Sequence, residues 1–164
     1  KPIEQQEKDL NNEVNFDLPE ALDLDQLLTD IKRIKKGNTI QKKRYDFNNP
    51  HATESFFTLE PAPVLLIEEL FIFHLEPVSK HLDLKVFIDA REDIRFARRL
   101  ERDSIERGLN KDTILYQWHE HVYPAFKKYL LPYRDEADLI ITNNKSFDNG
   151  LEVLKNHIKL LNLD

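Results

Sequence analysis

Four arginines between residues 95 and 102 recur at three- and four-residue spacing, so a predicted helix carries them on much of one face. These residues are Arg95, Arg98, Arg99 and Arg102. A guanidinium group is planar and charged, and its fork of N–H donors matches the oxygens of phosphate. Several forks on one helix could therefore surround a polyphosphate. Acidic residues share the segment, so a solvated helix with internal salt bridges is the alternative interpretation.

The composition excludes several classes of protein. The 164 residues are 40% hydrophobic and 33% charged, with a formal net charge of −6 at pH 7. That charge argues against broad nucleic-acid binding, which uses a basic surface. No apolar run approaches the roughly 20 residues of a membrane span. The chain has no cysteine, which excludes disulfides and thiolate metal sites and agrees with a reducing cytoplasm. We expect a cytoplasmic protein without nucleic-acid or membrane partners.

The first part of the chain predicts a helix and a hairpin that could position such a site. Leucine and isoleucine recur with helical spacing from Leu24 to Ile34, and Gly37 follows as a helix stop. Two segments rich in β-forming residues, 39–47 and 55–59, flank turn residues at 48–50. They predict a β-hairpin.

The rest of the chain alternates short apolar runs with helical patterns. The apolar runs, at 64–68, 85–89 and 139–142, predict strands that are buried on both faces. The helical patterns are at 92–107, 112–130 and 147–161. This alternation indicates an α/β fold with a parallel sheet, in which ligands bind beyond the carboxyl ends of the strands. Glu68 and Asp89 stand at two of those ends.

Seven stretches together resemble the uridine kinase (uridine–cytidine kinase) family of P-loop nucleoside kinases. The stretches are NFDLPEA at 15–21, YDF at 45–47, LIE at 66–68, KVFID at 85–89, the run from Arg98 to Gly108, VYPAF at 122–126 and ADLII at 137–141. They follow the family's order and rough spacing. The resemblance covers nearly the whole chain, and the ordered set is more specific than any single stretch.

The resemblance implies a fold and an activity. The fold is a parallel sheet flanked by helices in a single kinase-like domain over 1–164, with a hairpin arm at about 38–60 and a helical lid at about 99–117. The activity is transfer of the ATP γ-phosphoryl group to the 5′-hydroxyl of uridine or cytidine, with Mg²⁺, in pyrimidine salvage. The resemblance also implies a homo-oligomer.

The resemblance assigns five residues to the nucleoside. Asp17 matches an aspartate that binds the ribose hydroxyls, and a carboxylate can accept from two hydroxyls at once. Phe16 would line the pocket, Tyr45 would contact the pyrimidine, and Gln117 would contact the nucleoside. His51 would read the base, although it stands one position away from the family's histidine. Each of these residues could instead have a packing, capping or surface role.

Four further residues are assigned to the phosphates and the metal. Arg99 and Arg102 would be catalytic, Arg102 and Arg107 would bind ATP, and Glu68 would lie near Mg²⁺. Such residues neutralise charge as the phosphoryl group moves. Glu68 could also be an ordinary charge at a strand end.

Departures from the family pattern leave two alternatives open. Glu69 follows Glu68 where the family has glycine, and Leu109 replaces an arginine. A related kinase of another acceptor, similar to phosphoribulokinase or pantothenate kinase, is one alternative, and a degenerate binding module is the other. The motif G-x-x-x-x-G-K-[ST] does not occur in these 164 residues. We therefore expect the phosphate-binding loop and the general base to lie upstream of Lys1, and these residues alone to be inactive.

Overall fold

The computed structural model describes residues 1, 3–44 and 54–161. By their contacts these residues form two compact units. The hairpin unit comprises Asp23–Glu68, and the main unit comprises Lys1–Leu22 with Glu69–Asp164. The prediction of a single domain over 1–164, with the arm and lid boundaries given above, stays a prediction.

The hairpin unit consists of one helix and one two-stranded sheet. Helix α1 spans Leu24–Lys35, and the Asp23 side chain caps its start by accepting from the Gln26 backbone N–H at 3.1 Å. Strand β1 (Ile40–Lys43) pairs antiparallel with β2 (Phe56–Leu59), which confirms the predicted hairpin.

The hairpin is held against α1 by an ion pair and by apolar packing. Lys42 on β1 lies 2.6 Å from the Asp30 carboxylate on α1. Ile31, Ile34 and Ile40 are buried and form the small core of this unit. The amphipathic pattern that predicted α1 therefore faces the strands.

The prediction of a buried strand at 64–68 is wrong. The segment has no regular secondary structure and pairs with none of the described strands. The Val64 side chain is 41% exposed and that of Leu66 is 85% exposed. A strand in the middle of a parallel sheet is stabilised by hydrogen bonds to both neighbours, and an apolar run does not supply those neighbours.

The sheet of the main unit is a pair of parallel strands. Strand β3 (Val86–Asp89) pairs with β4 (Leu139–Thr142), with Val86 opposite Leu139. Both strands were predicted from short apolar runs, and their parallel pairing confirms the α/β class. Phe87 and Ile141 bury their side chains, as strands with helices on their faces require.

The α-helices in the described part of the main unit precede, connect and follow these strands in the chain. They are α2 (Glu76–Ser79), α3 (Glu92–Ile105), α4 (Lys111–Gln117), α5 (Tyr123–Ala125) and α6 (Asp148–Leu160). The helices predicted at 92–107, 112–130 and 147–161 are confirmed to within a few residues. No helix in the described ranges is both long and apolar enough to cross a bilayer.

The segment from α4 to residue 130 is not a regular α-helix. Wider π-helical turns at Trp118–Val122 and Phe126–Leu130 flank α5, and a 3₁₀-helix at Leu131–Glu136 follows. Pro124 lacks the N–H that would bond to the carbonyl of the fourth residue before it, which disfavours the regular ladder. The π turns change which side chains share a face.

The core of the main unit includes side chains of α2 and of the helical segment that begins with α4. Val78 and Ile114 have no exposed surface, and Trp118 is 5% exposed. The Trp118 ring packs at 5.1 Å between centroids against Phe96 of α3. The core therefore fixes α3 against the helical segment that begins with α4.

Helix α6 approaches β4 so closely that a β-carbon at Gly150 would lie 2.6 Å from Ile141 Cγ2. We expect Gly150→Ala to lower the free energy of unfolding. Overpacking costs about 1–3 kcal/mol, which exceeds the roughly 1 kcal/mol gained in helix propensity. Urea unfolding measures the difference. Asn149→Ala, at an exposed neighbour, is the control and should not destabilise; equal stability of both variants would contradict this packing.

Candidate functional site

The Asp103 carboxylate is completely buried and contacts three arginines. Its Oδ1 atom lies 2.8 Å from Arg102 Nε and 3.2 Å from Arg107 Nη1, and its Oδ2 lies 3.1 Å from Arg99 Nε. The Arg99 contact is an ion pair without the geometry of a hydrogen bond. A buried charge is tolerated only with such partners, so Asp103 holds these three guanidinium groups in one cluster.

The end of α3 is built to keep Arg107 in the cluster. Gly108 adopts a left-handed φ of +66°, which glycine reaches without strain. The Leu109 backbone N–H then donates to the Asp103 carbonyl at 3.0 Å, which closes the helix end. Arg107 therefore stays one helical turn from Asp103, where their side chains meet.

Arg99 joins α3 to α4. Its Nη2 group donates to Gln117 Oε1 at 3.1 Å, while its Nε faces Asp103. Burial lowers the pKa of Arg99, and the nearby Asp17 and Asp103 carboxylates oppose that change. An arginine keeps its charge under such a change. Arg99 is thus a fixed positive group between a carboxamide and two carboxylates.

Asp17 lies in the field of this cluster. Burial raises its pKa above the ordinary value, and the positive charges of Arg99, His121 and Arg102 oppose the rise. Asn15 Oδ1 accepts from the Asp17 backbone N–H at 2.9 Å, which fixes the loop at this residue. The Phe16 side chain beside it is 56% exposed.

The described part of the chain thus brings together five of the nine predicted site residues. They are Asp17, Arg99, Arg102, Arg107 and Gln117. Phe16 is adjacent to Asp17 in sequence and is exposed. Tyr45 and His51 lie outside the described residues, so their predicted base contacts stay predictions.

The predicted metal residue, Glu68, belongs to the hairpin unit and is exposed. Within the described ranges, no group of three or more histidine or acidic side chains could hold a metal ion. Mg²⁺ differs from most metals in this respect, because one or two carboxylates, waters and substrate phosphates usually complete its shell. A single accessible carboxylate fits that requirement.

Sequence reasoning missed a second cluster, at Asp9. Asp9 Oδ2 accepts from the Tyr116 hydroxyl at 2.5 Å and lies 2.7 Å from His121 Nε2. Asp9 lies in a polar stretch without a motif, and the spacing of His121 from other residues matches no metal-binding pattern. The five-residue spacing of Tyr116 and His121 matches no α-helical face, so no signal in the sequence pointed to this cluster.

Comparison with known proteins shows the family of the chain. The sequence profile of the Phosphoribulokinase / Uridine kinase family matches residues 2–148, which is most of the chain. The chain belongs to the phosphoribulokinase/uridine kinase family. The resemblance stated from the sequence is thereby confirmed.

Individual relatives in this family differ in how much of their length is shared. Uridine kinase of Borrelia duttonii (strain Ly) is 34% identical over 149 residues, which are 91% of this chain and 72% of that protein. Uridine kinase-like protein 3 of Arabidopsis thaliana is 34% identical over 90% of this chain. Uridine-cytidine kinase-like 1 of Mus musculus is 32% identical over 94% of it. The chain spans only 32% and 28% of the lengths of the latter two.

We expect removal of the Asp103 charge to destabilise the fold strongly. Asp103→Ala leaves three guanidinium groups without their shared partner, and the loss should be about 3 kcal/mol. Urea unfolding followed by circular dichroism measures it. Asp93→Ala is the control: it breaks the Arg91–Asp93 ion pair on the same helix, where both side chains are about two-thirds exposed. That variant should change stability by less than about 1 kcal/mol, and equal losses would contradict the role of Asp103.

We also expect Asp17 to make stability depend on pH. Its pKa is raised in the native state, so above the ordinary carboxyl value the native state binds more protons than the unfolded state. The contribution of Asp17 to stability therefore falls as pH rises towards the raised pKa. Asp17→Asn lacks this titration. Its free energy of unfolding, relative to the unmodified protein, should increase with pH across that window in urea titrations.

The control for this experiment is Asp112→Asn, at an exposed residue in the first turn of α4. A stability difference for Asp17→Asn that is constant with pH, or that falls, would show that burial does not raise the pKa of Asp17.

Proposed function

We propose that the protein is an ATP-dependent kinase of pyrimidine nucleosides. One observation carries the proposal: Asp17, a carboxylate that could accept from sugar hydroxyls, is electrostatically coupled to Arg99 and Arg102 of a phosphate-type arginine cluster. Transfer of a phosphoryl group to a sugar needs these two functions side by side. The names of the uridine kinase relatives support the same acceptor.

In the proposed reaction, an oxygen of the acceptor attacks the γ-phosphorus of ATP. The bond between that phosphorus and the ADP oxygen breaks, the 5′-hydroxyl proton is released to water, and a nucleoside monophosphate and ADP leave. Mg²⁺, when bound with ATP, would neutralise charge on the transferring group. Glu68 is the residue proposed to hold it, with waters and phosphate oxygens as the other ligands.

Five side chains are proposed to bind the nucleoside. Asp17 would bind the ribose hydroxyls, since an ionised carboxylate accepts two hydrogen bonds. Gln117 is held by Arg99 and would contact the same nucleoside. Phe16, Tyr45 and His51 would complete the base pocket.

The arginines would act on the phosphates. The side chain of Arg102 is 44% exposed and that of Arg107 is 30% exposed, whereas that of Arg99 is only 16% exposed. The two more exposed groups are suited to meet ATP. Arg99, whose charge acts on Asp17 more strongly than that of Arg102, is suited to the group in transfer between ATP and acceptor. We further propose a cytoplasmic homo-oligomer that serves pyrimidine salvage.

The test measures ADP formation by the full chain with ATP and Mg²⁺. We expect turnover with uridine or cytidine and none with ribulose 5-phosphate or pantothenate. Asp17→Asn should lower kcat/KM for uridine by about 100-fold, because the ribose hydroxyls lose their charged acceptor. A polypeptide of these 164 residues alone should be inactive.

The matched control is Asp93→Asn, which removes an exposed carboxylate from α3 and should retain full activity. Turnover with another acceptor in place of the nucleosides would overturn the proposed substrate. A full chain that binds ATP but phosphorylates no acceptor would favour a non-catalytic binding module.

A further inference from the structure

The Asp9 carboxylate uses both of its oxygens to join two distant segments. Its Oδ1 accepts from the backbone N–H groups of Asn11 at 2.8 Å and of Glu13 at 2.9 Å, which closes the loop that begins at Asp9. Its Oδ2 meets Tyr116 and His121, more than 100 residues away. One side chain thus shapes a loop and also fixes its position.

The protonation states within this cluster follow from its chemistry. Hydrogen bonds, that from Tyr116 foremost, hold the pKa of Asp9 well below its usual range, so its carboxylate is ionised. An ionised carboxylate only accepts, so His121 Nε2 carries a hydrogen and donates it. The hydrogen bond from Tyr116 to Asp9 raises the pKa of Tyr116, whose hydroxyl stays a donor. Asn11 Nδ2 in turn donates to the Tyr116 oxygen at 2.7 Å.

The loop closed by Asp9 leads directly to Asp17. Lys8 and Val14 form a β-bridge across it, and the Asn15 backbone N–H donates to the Glu7 carbonyl at 2.9 Å. Asn15 then accepts from the Asp17 backbone N–H at 2.9 Å. Hydrogen bonds therefore order the backbone along the whole stretch from Glu7 to Asp17.

The other end of the cluster lies on the segment that carries Gln117. Tyr116 directly precedes Gln117, and His121 follows within the π-helical turn Trp118–Val122. In an α-helix, residues five apart lie about 140° apart around the axis. The wider turn instead brings the Tyr116 and His121 rings to 5.6 Å between centroids, so both reach Asp9. The His121 side chain is only 3% exposed.

We propose that Asp9, through Tyr116 and His121, is a positioning residue for the nucleoside: it holds the loop of Asp17 at a fixed distance from the helix of Gln117. This inference rests on the proposed function, because it assigns both segments to one acceptor. Apolar side chains would join the segments with less desolvation cost. A carboxylate with hydrogen bonds to both oxygens instead fixes the orientation of the two segments as well as the distance between them. A site for two vicinal hydroxyls requires both.

The experiment is steady-state kinetics of the full chain with Tyr116→Phe and Asp9→Ala. Tyr116→Phe keeps the ring and removes the hydroxyl, with its hydrogen bonds to Asp9 and from Asn11. This milder variant tests the inference if Asp9→Ala does not fold. We expect Tyr116→Phe to raise the KM for uridine about fivefold, with the KM for ATP and kcat within about twofold of the unmodified protein. Asp9→Ala should raise the KM for uridine further.

The matched control is Tyr133→Phe. It removes the hydrogen bond between the Tyr133 hydroxyl and His74 Nδ1, at 2.8 Å, a tyrosine–histidine bond in the same unit that has no part in the Asp17 loop. This variant should leave the KM for uridine unchanged. A stabilising role alone would affect both tyrosine variants alike and would not single out the nucleoside.

Three other results would overturn the inference. An unchanged KM for uridine in Tyr116→Phe would show that the cluster does not position Asp17. Equal rises in the KM values for uridine and ATP would show a general loss of structure. If the unmodified full chain phosphorylates no nucleoside, the proposed function fails and this inference fails with it.

Discussion

The charge of Asp103 is the constraint on which the arrangement of this protein most depends. A carboxylate with no exposed surface must be matched by positive groups, and three arginine side chains supply them. Arg99 in turn holds Gln117, so the same interaction determines how α3 and α4 present their polar side chains. The ending of α3 at Gly108 and the Phe96–Trp118 contact keep the two helices in that relationship.

Much of the fold could be predicted because its signals are local. The periodic leucines of α1, the glycine after that helix, and the apolar runs of β3 and β4 are each signals carried by a few neighbouring residues. The run at 64–68 has the same apolar signal as β3 but forms no strand, because strand formation also requires a partner. The residues of the segment do not show whether a partner strand is available.

Some residues of the candidate site could likewise be predicted from the sequence, and others could not. Arg99, Arg102 and Asp17 were found because their residue types and order match a family whose chemistry is known. From the sequence, Asp103 was only one of several acidic residues in the arginine segment. Its burial distinguishes it from the others, and burial becomes visible only in the structure. Asp9 and His121 could not be found from spacing, because their contact spans 112 residues and depends on a π-helical turn. Long-range polar contacts of this kind are determined by the tertiary fold.

The π-helical turns also affect how this protein can be compared with its relatives. Each such turn holds roughly one residue more than an α-helical turn, so a relative could lose that residue and keep a continuous helix. Side chains beyond the deletion would keep their side of the helix, whereas residues paired without a gap would lie about 100° apart around the axis. In the segment from Tyr116 to Leu130, the number of residues is therefore as informative as their identity. Matching letters in an ungapped alignment there need not occupy the same side of the helix.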